Sequence, residues 1–314
     1  MDSSKAPAKD GITSEIRLRI YIIFPLFLTE VYTQCLIKAF FPKEWKENIS
    51  VIKPGKENSE DVLKYRPISL INAGRKVLEK LLINRIMAYM YANNFMNRNQ
   101  FGFPRKRGST EAIMELKEFT EDSLRRGDVV VVVSLDVKEA LNAAWWPAVL
   151  KSLKDFKCPK KLYELSKSYF SNRLANLQLA GVKVEEKVTR DCPQGSCCGP
   201  GFWNIQYNSL LNLNYSKDTK IIAFADDVVI LTKRKTVLVG ENRVNIELDK
   251  VEWASINKIS FHETKSQLML ATRKRSLLGK EIDVFLNNEK LNKKLKQVRI
   301  MKYLAIQIDD QLKN

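Results

Sequence analysis

The chain has 314 residues, enough to bury a sizeable core as one large domain or two subdomains. Its hydrophobic content of 45% and charged content of 28% fit a globular protein and exclude a disordered one. An excess of 53 Lys and Arg over 36 Asp and Glu gives a net charge of +17, which favours a polyanionic partner. The alternative is a soluble basic protein that binds no polyanion.

Cysteine and histidine content restricts the chemistry further. The cysteines are Cys35, Cys158, Cys192, Cys197 and Cys198. Their odd number and uneven spacing, without a recognisable signal peptide, predict reduced thiols and no disulfide partner. Adjacent Cys197 and Cys198 lack the C-x2-C spacing of a zinc site. His262 is the only histidine, which argues against a Ser-His-Asp or Cys-His enzyme.

The N-terminal third begins with the most apolar stretch of the chain, residues 20–41. It predicts a buried helix over about 26–40 rather than a membrane span, because polar residues and a proline interrupt it. Residues 47–70 then predict a strand, a polar loop and an extended return, since Pro54 breaks the first strand and Pro67 keeps the second extended. Apolar spacing predicts a helix over about 74–96.

The next segment, FGFPRKRGSTEAI, is a basic turn that leads into another helix, with Ser109 or Thr110 as the expected N-cap. Residues 128–137, DVVVVVSLDV, form a continuous β-branched run typical of a strand covered on both faces. Helical patterns follow over residues 146–170.

The last third contains CPQGSCCGPGFWNIQYNSLL, a loop running into a helix, and then the sequence IIAFADDVVIL. The latter reads as two short buried strands joined by a turn. A helix near residues 240–257 and a final strand pair in VRIMKYLAIQID complete the chain. Helices and strands alternate without βαβ regularity, and this pattern predicts an α+β fold.

Paired carboxylates are the most unusual feature. Asp226 and Asp227 lie side by side in an apolar run, where their mutual repulsion raises their pKa unless cations lie nearby. Asp136 ends the Val-rich strand. Three carboxylates delivered from adjacent strands would form an oxygen-rich site for Mg²⁺, and two such ions can support phosphoryl transfer. Taken alone, an Asp-Asp pair is equally consistent with a turn or a solvated surface.

Several motifs follow one another in an order that resembles a known family. They are VIKPGK, KYRPISLINAGRKVLEKLL, NQFGFPRKRGSTEAI, SLDVKEALNAAWW, CPQGSCCGPGFWNIQYNSLL, FADD, ISFHETKSQLML and VRIMKYLAIQID. Together they resemble the reverse transcriptase domain of non-LTR (LINE-type) retrotransposons over roughly residues 42–310. The AAWWPAVL continuation is most similar to arthropod elements that insert into fixed genomic sites.

The resemblance implies a right-hand polymerase fold with an antiparallel palm sheet packed on helices. Residues 1–128 would form an N-terminal segment and the fingers, and residues 129–312 the palm, with part of the fingers inserted at about 150–190. The thumb would be absent, so we expect a fragment or a truncated copy. A nuclear location follows from the family, although no segment reads as a targeting signal.

The resemblance also implies roles for individual residues. Asp136, Asp226 and Asp227 would be the catalytic residues and would hold two Mg²⁺ ions, with Mn²⁺ as a substitute. Nucleotide-binding positions would be Lys53, Arg66, Leu141, Gln194, Gly195 and Lys265. Nucleic acid would contact Arg105, Lys106, Arg107, Lys302 and Tyr303. Solvated surface charge, or an ordinary turn at Gln194 and Gly195, is the alternative for the polar members of these sets.

Some positions depart from the family pattern. KEALN at 138–142 replaces the usual Gly-Ala-Phe-Asp run, so Leu141 stands where Phe normally rejects a 2′-OH. Ala305 replaces a usual glycine and would strain its turn if φ is positive. The sequence therefore predicts an RNA-directed DNA polymerase that adds dNTPs to a DNA primer on an RNA template. The alternative is an inactive, nucleic-acid-binding relic, and the oligomeric state stays open.

Overall fold

The structure is a computed structural model. It describes residue 8 and residues 10–312, except 54–65, 105–106, 139, 180–181, 194 and 289–290. The chain divides into two compact units, Met1–Phe95 with Leu141–Gln206, and Met96–Ala140 with Tyr207–Asn314. We call them unit 1 and unit 2. The assignment of residues 1–128 to the fingers and 129–312 to the palm stays a prediction.

The α-helices are α1 Ser14–Ile23, α2 Pro25–Ile37, α3 Ala73–Ala92, α4 Ser109–Arg125, α5 Trp146–Asp155, α6 Lys160–Phe170, α7 Gly199–Leu211, α8 Val237–Asp249 and α9 Trp253–Ile256. The strands are β1 Glu47–Lys53, β2 Arg66–Leu70, β3 Val129–Leu135, β4 Arg173–Leu179, β5 Val182–Val188, β6 Thr219–Phe224, β7 Asp227–Arg234, β8 Gln267–Ala271, β9 Phe285–Asn288, β10 Leu291–Lys294, β11 Lys296–Gln297, β12 Ile300–Tyr303 and β13 Ile306–Asp309.

Unit 1 contains a sheet with the strand order β2-β1-β4-β5. The β1–β2 and β4–β5 pairs are antiparallel, whereas β1 and β4 are parallel. The predicted strand and extended return of residues 47–70 are therefore the pair β1 and β2. The long helix α3 packs against α6 and α2 in the same unit.

Unit 2 is built on a sheet with the order β11-β8-β3-β7-β6. Its central strand β3 is the Val-rich run, and both of its faces are covered, as predicted. Val130 and Val132 join the core cluster that contains Leu116 of α4. Val129 and Val131 point to the other face, where they approach Gly240 of α8. Successive side chains of a strand point to opposite faces, so one apolar run packs against hydrophobic residues on both faces of the sheet.

Two expectations from the sequence are wrong. Helix α4 begins at Ser109, but its N-cap is Gly108, whose N–H donates to Glu111 Oε2 at 2.9 Å. The apolar stretch of residues 20–41 is mostly exposed instead of buried, since only Tyr32 and Cys35 of α2 are buried. No single helix in the described residues has the length and apolarity to cross a membrane; α1 and α2, bent by 107°, meet that test only as a pair.

Candidate active site

The acidic site in unit 2 begins with the ladder between β3 and β7. Its last pair joins Leu135 to Val228, so the next residue on each strand is Asp136 and Asp227, respectively. Residues that face each other across antiparallel strands have Cα atoms roughly 4.5–5.5 Å apart. Two carboxylates that are remote in sequence therefore lie at one edge of the sheet.

The third carboxylate lies in the turn between β6 and β7. Phe224 pairs with Asp227, which leaves Ala225 and Asp226 as the central residues of a two-residue hairpin. Ala225 has φ 57°, a left-handed conformation that normally selects glycine at the first central position of such turns. This tight turn places Asp226 directly beside Asp227.

The pKa values of Asp226 and Asp227 reflect the proximity of the acidic side chains. Burial, with smaller contributions from the charges of Asp226 and Asp136, raises the pKa of Asp227 from 3.8 to about 6. Burial also raises the pKa of Asp226. A backbone hydrogen bond partly offsets this rise, and the Asp136 charge adds to it. A bound cation would relieve this repulsion, because it would be the largest local charge.

The donor set is all oxygen, which fits Mg²⁺ or Mn²⁺ by chemistry. Within the described residues, however, no three His, Cys, Asp or Glu side chains are already arranged as a metal-binding group. The structure thus brings the carboxylates to one edge of the sheet, but their side chains do not form a complete metal-binding site. Mg²⁺ needs few protein ligands, since waters and substrate phosphates complete its octahedron. The metal-binding roles of the three aspartates stay a prediction.

Residues 262–266, which precede β8, form hydrogen bonds with the backbone of Asp136. The Asp136 carbonyl accepts from the His262 N–H at 2.7 Å, and its N–H donates to Ser266 Oγ at 3.2 Å. Lys265 Nζ lies 3.7 Å from Asp136 Oδ2, with its side chain 63% exposed. The structure therefore brings the predicted Lys265 to the acidic edge, where it offers the positive charge that the carboxylates attract.

A buried tyrosine that the sequence analysis did not single out supports the same turn. The Tyr207 hydroxyl donates to the Asp226 carbonyl over a long 3.4 Å contact. Burial, together with the Asp226 charge, raises the pKa of Tyr207 well above its usual value, so the phenol stays protonated. Its position within the CPQGSCCGPGFWNIQYNSLL motif could have indicated this role. An aromatic residue in a helix, however, is normally interpreted as part of the hydrophobic core.

Unit 1 contains the predicted nucleotide-binding positions other than Lys265. Lys53 and Arg66 are direct partners in the β1–β2 ladder, where Lys53 ends β1 and Arg66 begins β2. Their side chains lie outside the described residues, as does Gln194. Leu141 belongs to a 3-10 turn, Ala140–Ala143, and only its backbone is described.

Gly195 is exposed and has φ 104°, a conformation that favours glycine. The loop that follows it is fixed by Glu79 of α3, which is fully buried. Glu79 Oε2 accepts from Ser196 Oγ at 2.9 Å and from the Cys197 N–H at 2.7 Å. Its Oε1 accepts from Arg75 Nε at 2.7 Å. Sequence reasoning missed this network, because a Glu four residues after an Arg normally indicates a solvated helix face.

Comparison with known proteins identifies the family. The family model described as "Reverse transcriptase (RNA-dependent DNA polymerase)" matches residues 52–308. The chain belongs to the reverse transcriptase family. Members of this family generally use divalent metal ions. This family, together with relatives from the mobile elements jockey and R1DM, confirms the prediction of a LINE-type, non-LTR retrotransposon domain.

Curated relatives of this reverse transcriptase domain come from insects. The chain is 28% identical over 296 residues to the RNA-directed DNA polymerase from mobile element jockey of Drosophila melanogaster, covering 91% of this chain and 31% of the relative. It is 30% identical over 245 residues to a putative 115 kDa protein in the type-1 retrotransposable element R1DM of the same species, covering 77% and 23%. The chain thus spans about a quarter to a third of these relatives.

Solved structures confirm the predicted α+β, right-hand polymerase fold. Apo telomerase from Candida tropicalis, truncated from the C-terminal domain, aligns with a TM-score of 0.61 at 10% identity, covering 92% of this chain and 59% of that one. Telomerase from Candida albicans, in complex with a TWJ fragment of telomeric RNA, aligns with a TM-score of 0.56 at 12% identity, covering 89% and 48%.

The residues predicted to contact nucleic acid differ in exposure, and two of them lie outside the described residues. Arg105 and Lys106 lie outside the described residues. The Arg107 guanidinium lies 4.6 Å from the Phe101 ring centroid and also donates to backbone carbonyls, so intramolecular contacts hold it. Lys302 is exposed on β12, whereas Tyr303 is only 2% exposed. A contact at this hairpin would therefore use Lys302 and the backbone, while the Tyr303 ring belongs to the core.

The turn between β12 and β13 bears the strain expected from its sequence. Leu304 and Ala305 have φ 48° and 69°, the pattern of a two-residue type I′ turn. Glycine is the usual residue where φ is positive, so the expectation of a strained Ala305 is confirmed.

Proposed function

We propose that this chain is the polymerising domain of an RNA-directed DNA polymerase. The primer 3′-OH would attack the α-phosphate of a dNTP on an RNA template, and pyrophosphate would leave. The observation that carries the proposal is the approach of Asp136, Asp226 and Asp227 at one sheet edge, within a chain of the reverse transcriptase family.

In this proposal Asp136, Asp226 and Asp227 hold two Mg²⁺ ions, or Mn²⁺ in their place. When bound, the ions stabilise the charge on the attacking and leaving oxygens. The protein must supply ionised carboxylates, and the raised pKa of Asp227, about 6, means that this requirement is met above mildly acidic pH. Lys265 would offer positive charge, and a proton, to the leaving pyrophosphate.

The residues that the resemblance assigns to nucleotide binding would contact the incoming dNTP. Lys53 and Arg66, direct partners in the β1–β2 ladder, would donate charge-assisted hydrogen bonds to the triphosphate. Gly195 would let the backbone approach the nucleotide closely, with Gln194 bonding to a sugar or base edge. Leu141 would lie beneath the sugar and, being smaller than Phe, would discriminate less sharply against rNTPs.

The template and primer would be held mainly through phosphate contacts. A net charge of +17 supports this, because each neutralised phosphate releases counterions and strengthens binding at low salt. Lys302, exposed on β12, is the described candidate for such a contact. Arg105, Lys106 and Arg107 stay candidates for the template.

A second candidate function is a nucleic-acid-binding relic that turns over nothing. It is favoured by KEALN at 138–142, which replaces residues that the family uses next to Asp136. The two proposals share the charge and the fold, and they differ only in whether the carboxylates support turnover.

Primer extension on an RNA template separates them. Wild-type chain, Asp226→Ala and the control Asp155→Ala are assayed with Mg²⁺ and with Mn²⁺; Asp155 is an exposed residue at the end of α5. The polymerase proposal predicts extension by the wild type and the control, and loss of about a thousandfold or more in Asp226→Ala. Salt-sensitive primer-template binding without any extension would leave the relic as the function.

A further inference from the structure

Residues 99–102, the start of the NQFGF motif, lie along the edge strand β6 beside the catalytic turn. The Phe101 N–H donates to the Ala223 carbonyl at 2.7 Å, and the Ala223 N–H donates to the Asn99 carbonyl at 2.8 Å. Gln100 and Ala223 form a parallel bridge. The segment therefore continues the sheet beyond β6, which covers a strand edge that would otherwise be unpaired.

The Gln100 side chain bonds to the backbone of the turn itself. It is only 2% exposed. Its Oε1 accepts from the Ala225 N–H at 3.1 Å and from the Gly102 N–H at 2.9 Å, while its Nε2 donates to the Ala225 carbonyl at 3.3 Å. One amide thus binds both polar backbone groups of the residue that precedes Asp226.

Gly102 makes a steric contact with the same residue. A Cβ at this position would lie 2.0 Å from the Ala225 nitrogen and 2.7 Å from its Cα, far inside van der Waals distance. Gly102 is needed for this close backbone approach. Any other residue at this position would push the segment away from the turn.

Ala225 needs such support, because a non-glycine residue in the left-handed region persists only where its surroundings determine it. We propose that Gln100 and Gly102 form a clamp that fixes the conformation of Ala225 and thereby aims the carboxylates of Asp226 and Asp227. Both are positioning residues, since they act on the site through the backbone of the turn. The effect on extension rests on the proposed polymerase function, whereas the effect on the turn does not.

The first test measures amide hydrogen exchange of Ala225 in the full chain. Gln100→Met keeps the side-chain length but removes every hydrogen bond, so the Ala225 amide should exchange roughly tenfold faster. Gln100→Glu keeps an acceptor oxygen and should retain most of the protection. An Ala225 amide that exchanges at the wild-type rate in folded Gln100→Met would overturn the clamp.

The second test uses steric insertion and a matched glycine control. Gly102→Ala forces the turn to shift, whereas at Gly108 a Cβ meets only the flexible Glu111 carboxylate at 3.3 Å. Mn²⁺ titration followed by calorimetry should show about tenfold weaker binding for Gly102→Ala and unchanged binding for Gly108→Ala. Equal affinities in two folded variants would refute a positioning role.

Primer extension then distinguishes this inference from the function on which it rests. If the wild type extends, Gly102→Ala and Gln100→Met should lower kcat about tenfold or more while the KM for dNTP stays near the wild-type value. A tenfold rise in the KM for dNTP with an unchanged kcat would contradict the clamp. If the wild type does not extend, the polymerase proposal fails, and exchange and Mn²⁺ affinity still decide whether the clamp exists.

Discussion

Asp227 is the residue at which the electrostatic cost of the site is most visible. Burial is the main cause of its raised pKa, and the neighbouring aspartates add to it. A carboxyl with a raised folded-state pKa favours folding while it is protonated, and that contribution is lost as the pH rises through the folded-state pKa. Without divalent ions, the site should therefore destabilise the chain near neutral pH.

We predict that Asp227→Asn stabilises the chain in EDTA at about pH 8 and that this gain disappears as the pH falls from about 6 to below 3.8, where Asp227 is protonated in both states. Urea unfolding across this pH range measures it, with Asp155→Asn as the exposed control. Added Mn²⁺ should reverse the order, because the ion stabilises the wild-type carboxylate. A difference that does not change with pH would contradict the assigned cause.

At the scale of the elements, helix α3 and the loop after Gly195 are joined by one buried carboxylate. Glu79 accepts hydrogen bonds from Arg75, Tyr169, Ser196 and the Cys197 backbone. Burial alone would raise the pKa of Glu79, but the charge and hydrogen bond of Arg75, together with the Arg173 charge and the Cys197 N–H, lower it. The network keeps the candidate nucleotide loop in place.

Glu79→Gln should cost about 3–5 kcal/mol of unfolding free energy, because it leaves the fully buried Arg75 guanidinium without its counter-charge. Chemical denaturation followed by circular dichroism measures the loss. Glu15→Gln, which breaks an exposed pair with Arg19, is the control and should cost less than about 1 kcal/mol. Comparable losses in the two variants would show that the Glu79 network contributes nothing special.

Patterns within single elements were predictable from the sequence. The Val-rich strand, the hairpin around Asp226 and the final strand pair follow from local periodicity and turn chemistry. Glu79 and Gln100 could not be found that way, because their partners lie 118 and 125 residues away along the chain. The exposure of α1 and α2 was missed for a related reason, since apolarity predicts burial without showing what covers a helix.

Across the whole molecule, a basic chain carries an acidic sheet edge. The net charge of +17 would attract nucleic acid, whereas Asp136, Asp226 and Asp227 would repel its phosphates unless cations intervene. Bound divalent ions would resolve this conflict, but only if the end of β3 and the β6–β7 turn share them. We therefore expect these two segments to bind the same ions.

Electron paramagnetic resonance can measure Mn²⁺ binding to the wild type and to the variants Asp136→Asn, Asp226→Asn and Asp155→Asn. We predict that Asp136→Asn and Asp226→Asn each weaken binding about tenfold or more, although their strands are remote in sequence, and that Asp155→Asn leaves it unchanged. Binding that depends on Asp226 but not on Asp136 would contradict this prediction, because the two strands would then not share a metal site.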